Sequence, residues 1–94
     1  VGDVLNQGQV EAALTALPGW EGDSKALHRS IEFVSFPAAI AAVVSVAEAA
    51  EAANHHPDID IRWRTVTFTV STHSAGGVTH LDLNLAQSIN EITA

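Results

Sequence analysis

Residues 51–57, Glu51-Ala52-Ala53-Asn54-His55-His56-Pro57, mark the point where the chain has to change from helix to strand. Pro57 has no N–H to continue a helical ladder and biases His56 away from the α region, so a helix arriving from upstream ends here. Asn54 is suited to the left-handed terminating position just before the two histidines. Downstream, Ile59, Ile61 and Trp63 alternate with polar residues, and Val66, Phe68 and Val70 then alternate on the opposite parity. One flat strand cannot switch parity, so the pattern predicts two strands with a turn or bulge near Arg64-Thr65.

Upstream, Ser35 is placed to cap the helix, and Pro37 falls early in it, where its missing N–H does no harm. The spacing predicts an inner face of Ile40, Val43, Val44 and Ala47, with Ala50 and Glu51 a turn further on. From Leu27 the period is two: Leu27, Arg29, Ile31 and Phe33 on one face, His28, Ser30, Glu32 and Val34 on the other. Trp20-Glu21 opens another extended piece, and Gly22-Asp23-Ser24 is a turn signal. Asn6 can cap a first helix with Val10, Ala13, Leu14 and Leu17 on its apolar face, closed by Pro18-Gly19. Residues 1–5 read as a loose lead-in.

At the other end, Thr65, Thr67, Thr69, Ser71 and His73 share the face opposite Val66, Phe68 and Val70. Gly76-Gly77 is a loop, Thr79-His80-Leu81-Asp82 matches a capping box, and Leu81, Leu85, Ile89 and Ile92 line a last helix. The order α-β-β-α-β-β-α predicts an α+β fold, an antiparallel sheet with the helices on one face, in a single domain over residues 1–94.

The formal charge of −7, with four Lys and Arg, disfavours direct nucleic-acid binding and anionic membrane surfaces. The absence of Cys excludes disulfides and thiolate chemistry. Read along the chain, no run reaches the roughly 18–20 apolar residues that span a bilayer, and the expected location is cytoplasmic. Five histidines are the informative excess.

A single His at a helix end is usually a favourable charge at the negative end of the dipole. Two adjacent imidazoles before a proline, with Glu51 one turn upstream to orient one ring, point instead to proton transfer, together with His73 from a neighbouring strand. A three-histidine metal site remains the competing chemistry, although consecutive residues of an extended segment point different ways. Glu48 and Glu51 read as a solvated helix edge rather than a catalytic carboxylate pair, and His28 and His80 as solvent-facing.

The sequence resembles the pterin-4a-carbinolamine dehydratases, also described as dimerisation cofactors of a homeodomain transcription factor. The shared pattern is an acidic residue, three positions, His-His-Pro, five positions, an aromatic, nine positions, His, eight positions, Asp. Here it reads Glu51, His55-His56-Pro57, Trp63, His73 and Asp82. Leu17-Pro18-Gly19-Trp20, Phe33-Val34-Ser35-Phe36, Ser71-Thr72-His73 and Asp82-Leu83-Asn84-Leu85-Ala86 agree as well, so the resemblance covers about Val10 to Ile92. The family often has a basic residue before the Asp; here it is Leu81.

The resemblance implies a four-stranded antiparallel sheet with three helices on one side. It implies loss of water from 4a-hydroxytetrahydropterin to give quinonoid dihydropterin, with no metal and no cofactor. His55, His56 and His73 would be the acid and base groups. Glu51, Pro57, Thr72 and Asp82 would support or bind substrate, with Trp63 either a stacking platform or a sheet-packing residue. It further implies a homodimer or homotetramer, a link to an aromatic amino acid hydroxylase, and, as the alternative, an interaction module on the same fold.

Overall fold

The computed structural model describes residues 3–94. Its elements are α1 (Gln7–Leu14), β1 (Glu21–Gly22), β2 (Leu27–Glu32), α2 (Phe36–Ala53), β3 (Asp58–Arg62), β4 (Thr65–Val70) and α3 (His80–Thr93). The strands form one antiparallel sheet in the order β1-β2-β4-β3. This is the predicted α+β order.

Register follows from the parity switch. Ile59 pairs with Phe68 and Ile61 with Val66, while Leu27, Arg29 and Ile31 of β2 face Val70, Phe68 and Val66. Val66, Phe68 and Val70 are fully buried and the intervening threonines only partly so, which means that one face of β4 is covered by the helices. The turn falls at Trp63-Arg64, one residue earlier than the sequence suggested, and Trp63 takes φ 54°. Hairpin loops of two residues place glycine at such a position, because a positive φ crowds Cβ.

The first helix begins at a reciprocal cap: Asn6 Oδ1 accepts from Gln9 N at 2.8 Å, and Gln9 Oε1 accepts from Asn6 N at 2.9 Å. It stops at Leu14, and successive tighter turns carry Leu17 and Trp20 into the core. Trp20 Nε1 and Arg29 both donate to Asn90 Oδ1, tying this turn to α3. A Cβ on Gly19 would lie 2.5 Å from Arg29 Nε, so the close approach requires glycine there. In the β1–β2 turn the Lys25 and then the Ala26 backbone N–H groups donate to Asp23, which lowers its carboxyl below the ordinary value.

Three readings of the sequence need correction. The loose lead-in ends before Leu5, which is buried and donates its N–H to Val78 O; residues 1–2 lie outside the described part. The buried face of α2 is Ala39, Val46 and Ala50 with Val43 packed alongside, rotated from the predicted one, so Val44 is 54% exposed and Ala47 is exposed too. Apolar residues surround this helix on nearly all sides, and a periodicity argument loses its phase there. For the same reason α2 does reach bilayer-spanning dimensions by length and composition, with 18 residues of mean hydropathy 1.5. It is nonetheless packed into the layer through Ala39, Val46 and Ala50.

Candidate active site

The left-handed Asn54 (φ 50°, ψ 42°) ends α2 as predicted. Asn54 N–H bonds Glu51 O, and His55 N–H bonds Ala50 O at 3.1 Å, the paired bonds of a Schellman terminator. This reversal turns His55 inward and leaves His56 outside.

His55 is held by Asp82, with Nε2 to Oδ1 at 2.5 Å; its side chain is 11% exposed and Asp82 is fully buried. His56 is held by Glu51, with Nε2 to Oε1 at 2.8 Å, and both of these side chains are largely exposed. Each ring of the adjacent pair therefore has its own carboxylate, one buried and one in solvent. The expected orienting role of Glu51 has its geometric counterpart in this second contact.

Asp82 does two jobs. As the third residue of α3 it closes the predicted capping box, Oδ2 accepting from Thr79 N at 2.9 Å. The same oxygen accepts from Thr72 Oγ1 at 2.8 Å, while Oδ1 faces His55. Leu81, the residue before it, is 38% exposed.

Thr72 is buried, and through Asp82 it ties the end of the sheet to His55. It bridges to Gly77 around the turn that begins with His73. His73 is exposed, and its ring makes no hydrogen bond or ion pair among the described residues. The parity expectation for His73 does not carry, because β4 ends at Val70 and the chain is already in a turn at residue 73. Its link to the Asp82–His55 contact is through the chain alone, since it directly follows Thr72. Pro57 is half-buried at the start of β3.

Trp63 is not brought in. It is 68% exposed at the hairpin tip, stacked by Arg64 at 4.4 Å, and separated from Pro57 by the whole of β3. Five extended residues span roughly 17 Å. Within this chain it is therefore neither a stacking platform beside the histidines nor a sheet-packing residue. Replacing Trp63 by Gly is expected to leave dehydration kinetics unchanged and to hold or raise stability. Relief of the positive φ is worth about 1–2 kcal/mol, against ~0.5–1 kcal/mol for an exposed cation–π contact. Denaturant midpoints and an activity assay on the purified variant check both halves.

The sequence marks Thr79 only as a cap, yet its hydroxyl lies 2.8 Å from that of Thr72. The capping box was the available signal, but a contact to Thr72 needs the fold to be known. His28 is half-exposed and 3.2 Å from Glu21, while His80 is exposed and borders a small depression between α1 and α3. A shallow depression on the outside of α2 is lined by Val44, Ala47, Glu48, Glu51 and Ala52, and meets the site at Glu51.

The fold is thus a three-helix, four-stranded α+β layer pair that carries two carboxylate-held imidazoles at a helix end. The sequence profile described as pterin 4 alpha carbinolamine dehydratase matches residues 3–92. A Nocardia farcinica protein provisionally named pterin-4-alpha-carbinolamine dehydratase is 57% identical over 90 residues, 96% of this chain and 95% of that protein. A Mycolicibacterium smegmatis protein with the same provisional name is 57% identical over 89 residues, 95% of each. The crystal structure of a transcriptional coactivator/pterin dehydratase from Brucella melitensis superposes with a TM-score of 0.94 at 34% identity, covering 98% of this chain and 100% of that one. The chain belongs to the pterin-4a-carbinolamine dehydratase family, a family of hydro-lyases.

Proposed function

We propose that the protein dehydrates 4a-hydroxytetrahydropterin to quinonoid dihydropterin by histidine general acid–base catalysis, within tetrahydropterin recycling. The observation that carries this reading is the Asp82 carboxylate, which joins His55 to Thr72, the residue next to His73. The C4a–O bond breaks as one imidazolium delivers a proton to the departing hydroxyl, which leaves as water. A neutral imidazole takes the proton from a ring nitrogen. His55, His56 and His73 supply these two groups, with Glu51 and Asp82 holding the adjacent rings and Thr72 and Pro57 bordering the substrate. The step moves only protons and a hydroxyl, so histidine acid and base groups suffice for it and neither a metal nor a bound cofactor is required.

The family's oligomeric habit and the uncovered outer stripe of α2, with Phe36 48% and Val44 54% exposed, support a homodimer or homotetramer. A link to an aromatic amino acid hydroxylase and a cytoplasmic location belong to the same reading. The Brucella melitensis relative is described as a coactivator as well as a dehydratase, and an interaction module is the second reading. Capture of a stoichiometric partner, unaffected by histidine substitutions, would favour it.

The test is incubation with enzymatically generated 4a-hydroxytetrahydropterin. Wild type is expected to accelerate dehydration by about 10²–10⁴-fold over the spontaneous rate, and His55→Ala with His56→Ala to remove most of it. No acceleration by the wild type, or stoichiometric zinc in the purified protein, overturns the reading.

A further inference from the structure

We propose that Thr79 is a positioning residue for the acid–base chemistry: its hydroxyl, acting through Thr72, fixes the Asp82 carboxylate that holds His55. This rests on the dehydratase reading above.

As a carboxylate, Asp82 accepts and cannot donate. Its Oδ2 takes the Thr72 hydroxyl hydrogen at 2.8 Å and the Thr79 backbone N–H at 2.9 Å. Thr72 has one hydroxyl hydrogen, and Asp82 has it. The 2.8 Å contact between the two threonine oxygens must then be filled by the hydrogen of Thr79. Thr79 Oγ1 in turn accepts from Leu81 N at 3.2 Å.

The result is a one-way chain: Leu81 N–H to Thr79, Thr79 to Thr72, Thr72 to Asp82. The other carboxylate oxygen is left for His55, whose Nε2 must carry the hydrogen that fills the contact. In the neutral ring that leaves Nδ1 with the free lone pair. Thr72 is 4% exposed, and Thr79 and Asp82 are fully buried, so water has no place from which to substitute for a missing link.

The helix cap and the histidine clamp are thus one network. Besides His55 itself, the Asp82 carboxylate would be held by the Thr79 N–H alone if Thr72 were absent, and one such bond leaves it free to tilt with the ring. The Thr72 hydroxyl pins its plane, and the Thr79 hydroxyl keeps the Thr72 hydrogen on the Asp82 side. Without Thr79 Oγ1, Thr72 loses the donor to its oxygen and keeps only its own bond to Asp82 to hold the hydroxyl in place.

The experiment uses Thr79→Val, Thr79→Ser, Thr72→Val and the Thr72→Val/Thr79→Val double variant. Thr79→Val is expected to lower kcat by roughly 3–10-fold with KM little changed, the weight of one buried hydrogen bond. Thr79→Ser should restore it. The double variant should be no slower than Thr72→Val, because Thr79 acts only through Thr72.

Imidazole ¹⁵N spectra of the wild type should show His55 with its proton on Nε2, a readout that needs no substrate. A purely capping role predicts lower stability with kcat intact, or losses that add in the double variant, and either overturns the proposal. So does an Nδ1–H tautomer in the wild type. A wild type with the Nε2–H tautomer but no dehydration sinks the dehydratase reading and leaves the donor chain standing.

Discussion

Asp82→Asn is expected to leave a folded protein that has lost most of its dehydration rate. Three donors converge on this side chain: the Thr79 N–H and the Thr72 hydroxyl on Oδ2, and His55 on Oδ1. An amide has one oxygen to offer. The Thr79 N–H cannot become an acceptor, so the amide oxygen has to face the threonines and the NH₂ has to face His55. His55 Nε2 must then accept, and its hydrogen moves to Nδ1, where the lone pair had been. The ring stays in place with the wrong tautomer. Loss of positioned proton transfer costs about 10²–10⁴-fold in kcat. Stability should fall by only ~1–2 kcal/mol, since charge-assisted bonds become neutral ones and a favourable charge leaves the start of α3. Circular dichroism, denaturant midpoints and the dehydration assay together make the measurement. A variant within about threefold of the wild-type kcat would remove Asp82 from the chemistry, since general acid–base help is worth far more than that.

Asp82→Ala is a different experiment. It strips the acceptor from three buried donors at once, and each orphan costs about 1–3 kcal/mol. Its inactivity would say little, because the local fold goes with the acceptor.

How much of this could be read from the letters differs between residues, for physical reasons. Pro57 and Asn54 are local devices, so the end of α2, with two adjacent rings just beyond it, followed from backbone sterics alone. The β3–β4 hairpin followed from parity, with an error of one residue at the turn, because Trp63 occupies a position that favours glycine and gives no turn signal. The face of α2 did not follow. Its alanines and valines surround the axis, and only tertiary contact selects Ala39, Val46 and Ala50. Asp82 was legible as a cap, three residues from Thr79, but its grip on His55 spans 27 positions and on Thr72 ten. Such contacts are set by how α3 meets the end of the sheet, and no local pattern encodes that. His73 was placed by extending the strand alternation past Val70, and the alternation holds only while the ladder does.

Phe68→Ala tests the scaffold in the way that Asp82→Asn tests the chemistry. Phe68 is the largest fully buried side chain and lies in β4, between Arg29 of β2 and Ile59 of β3. Truncating a buried Phe costs about 3–5 kcal/mol, combining lost transfer energy and a cavity that close packing cannot fill. For a chain of this length total stability is on the order of 5–14 kcal/mol, so a large share disappears. The midpoint temperature should fall by roughly 15–30 °C, with the denaturant m-value unchanged. A loss below about 1 kcal/mol would mean that β4 is not the centre of the core. The consequence for the site is graded by distance along the strand: Thr72 lies two residues beyond the last ladder position, Val70, and inherits its place from that ladder. Below its midpoint Phe68→Ala should retain the His55 tautomer and much of its kcat. Above it, tautomer, activity and circular dichroism should vanish together. Asp82→Asn should instead lose the tautomer and the rate while the fold signal persists, which distinguishes a carboxylate that directs a histidine from a core that merely holds the two in reach.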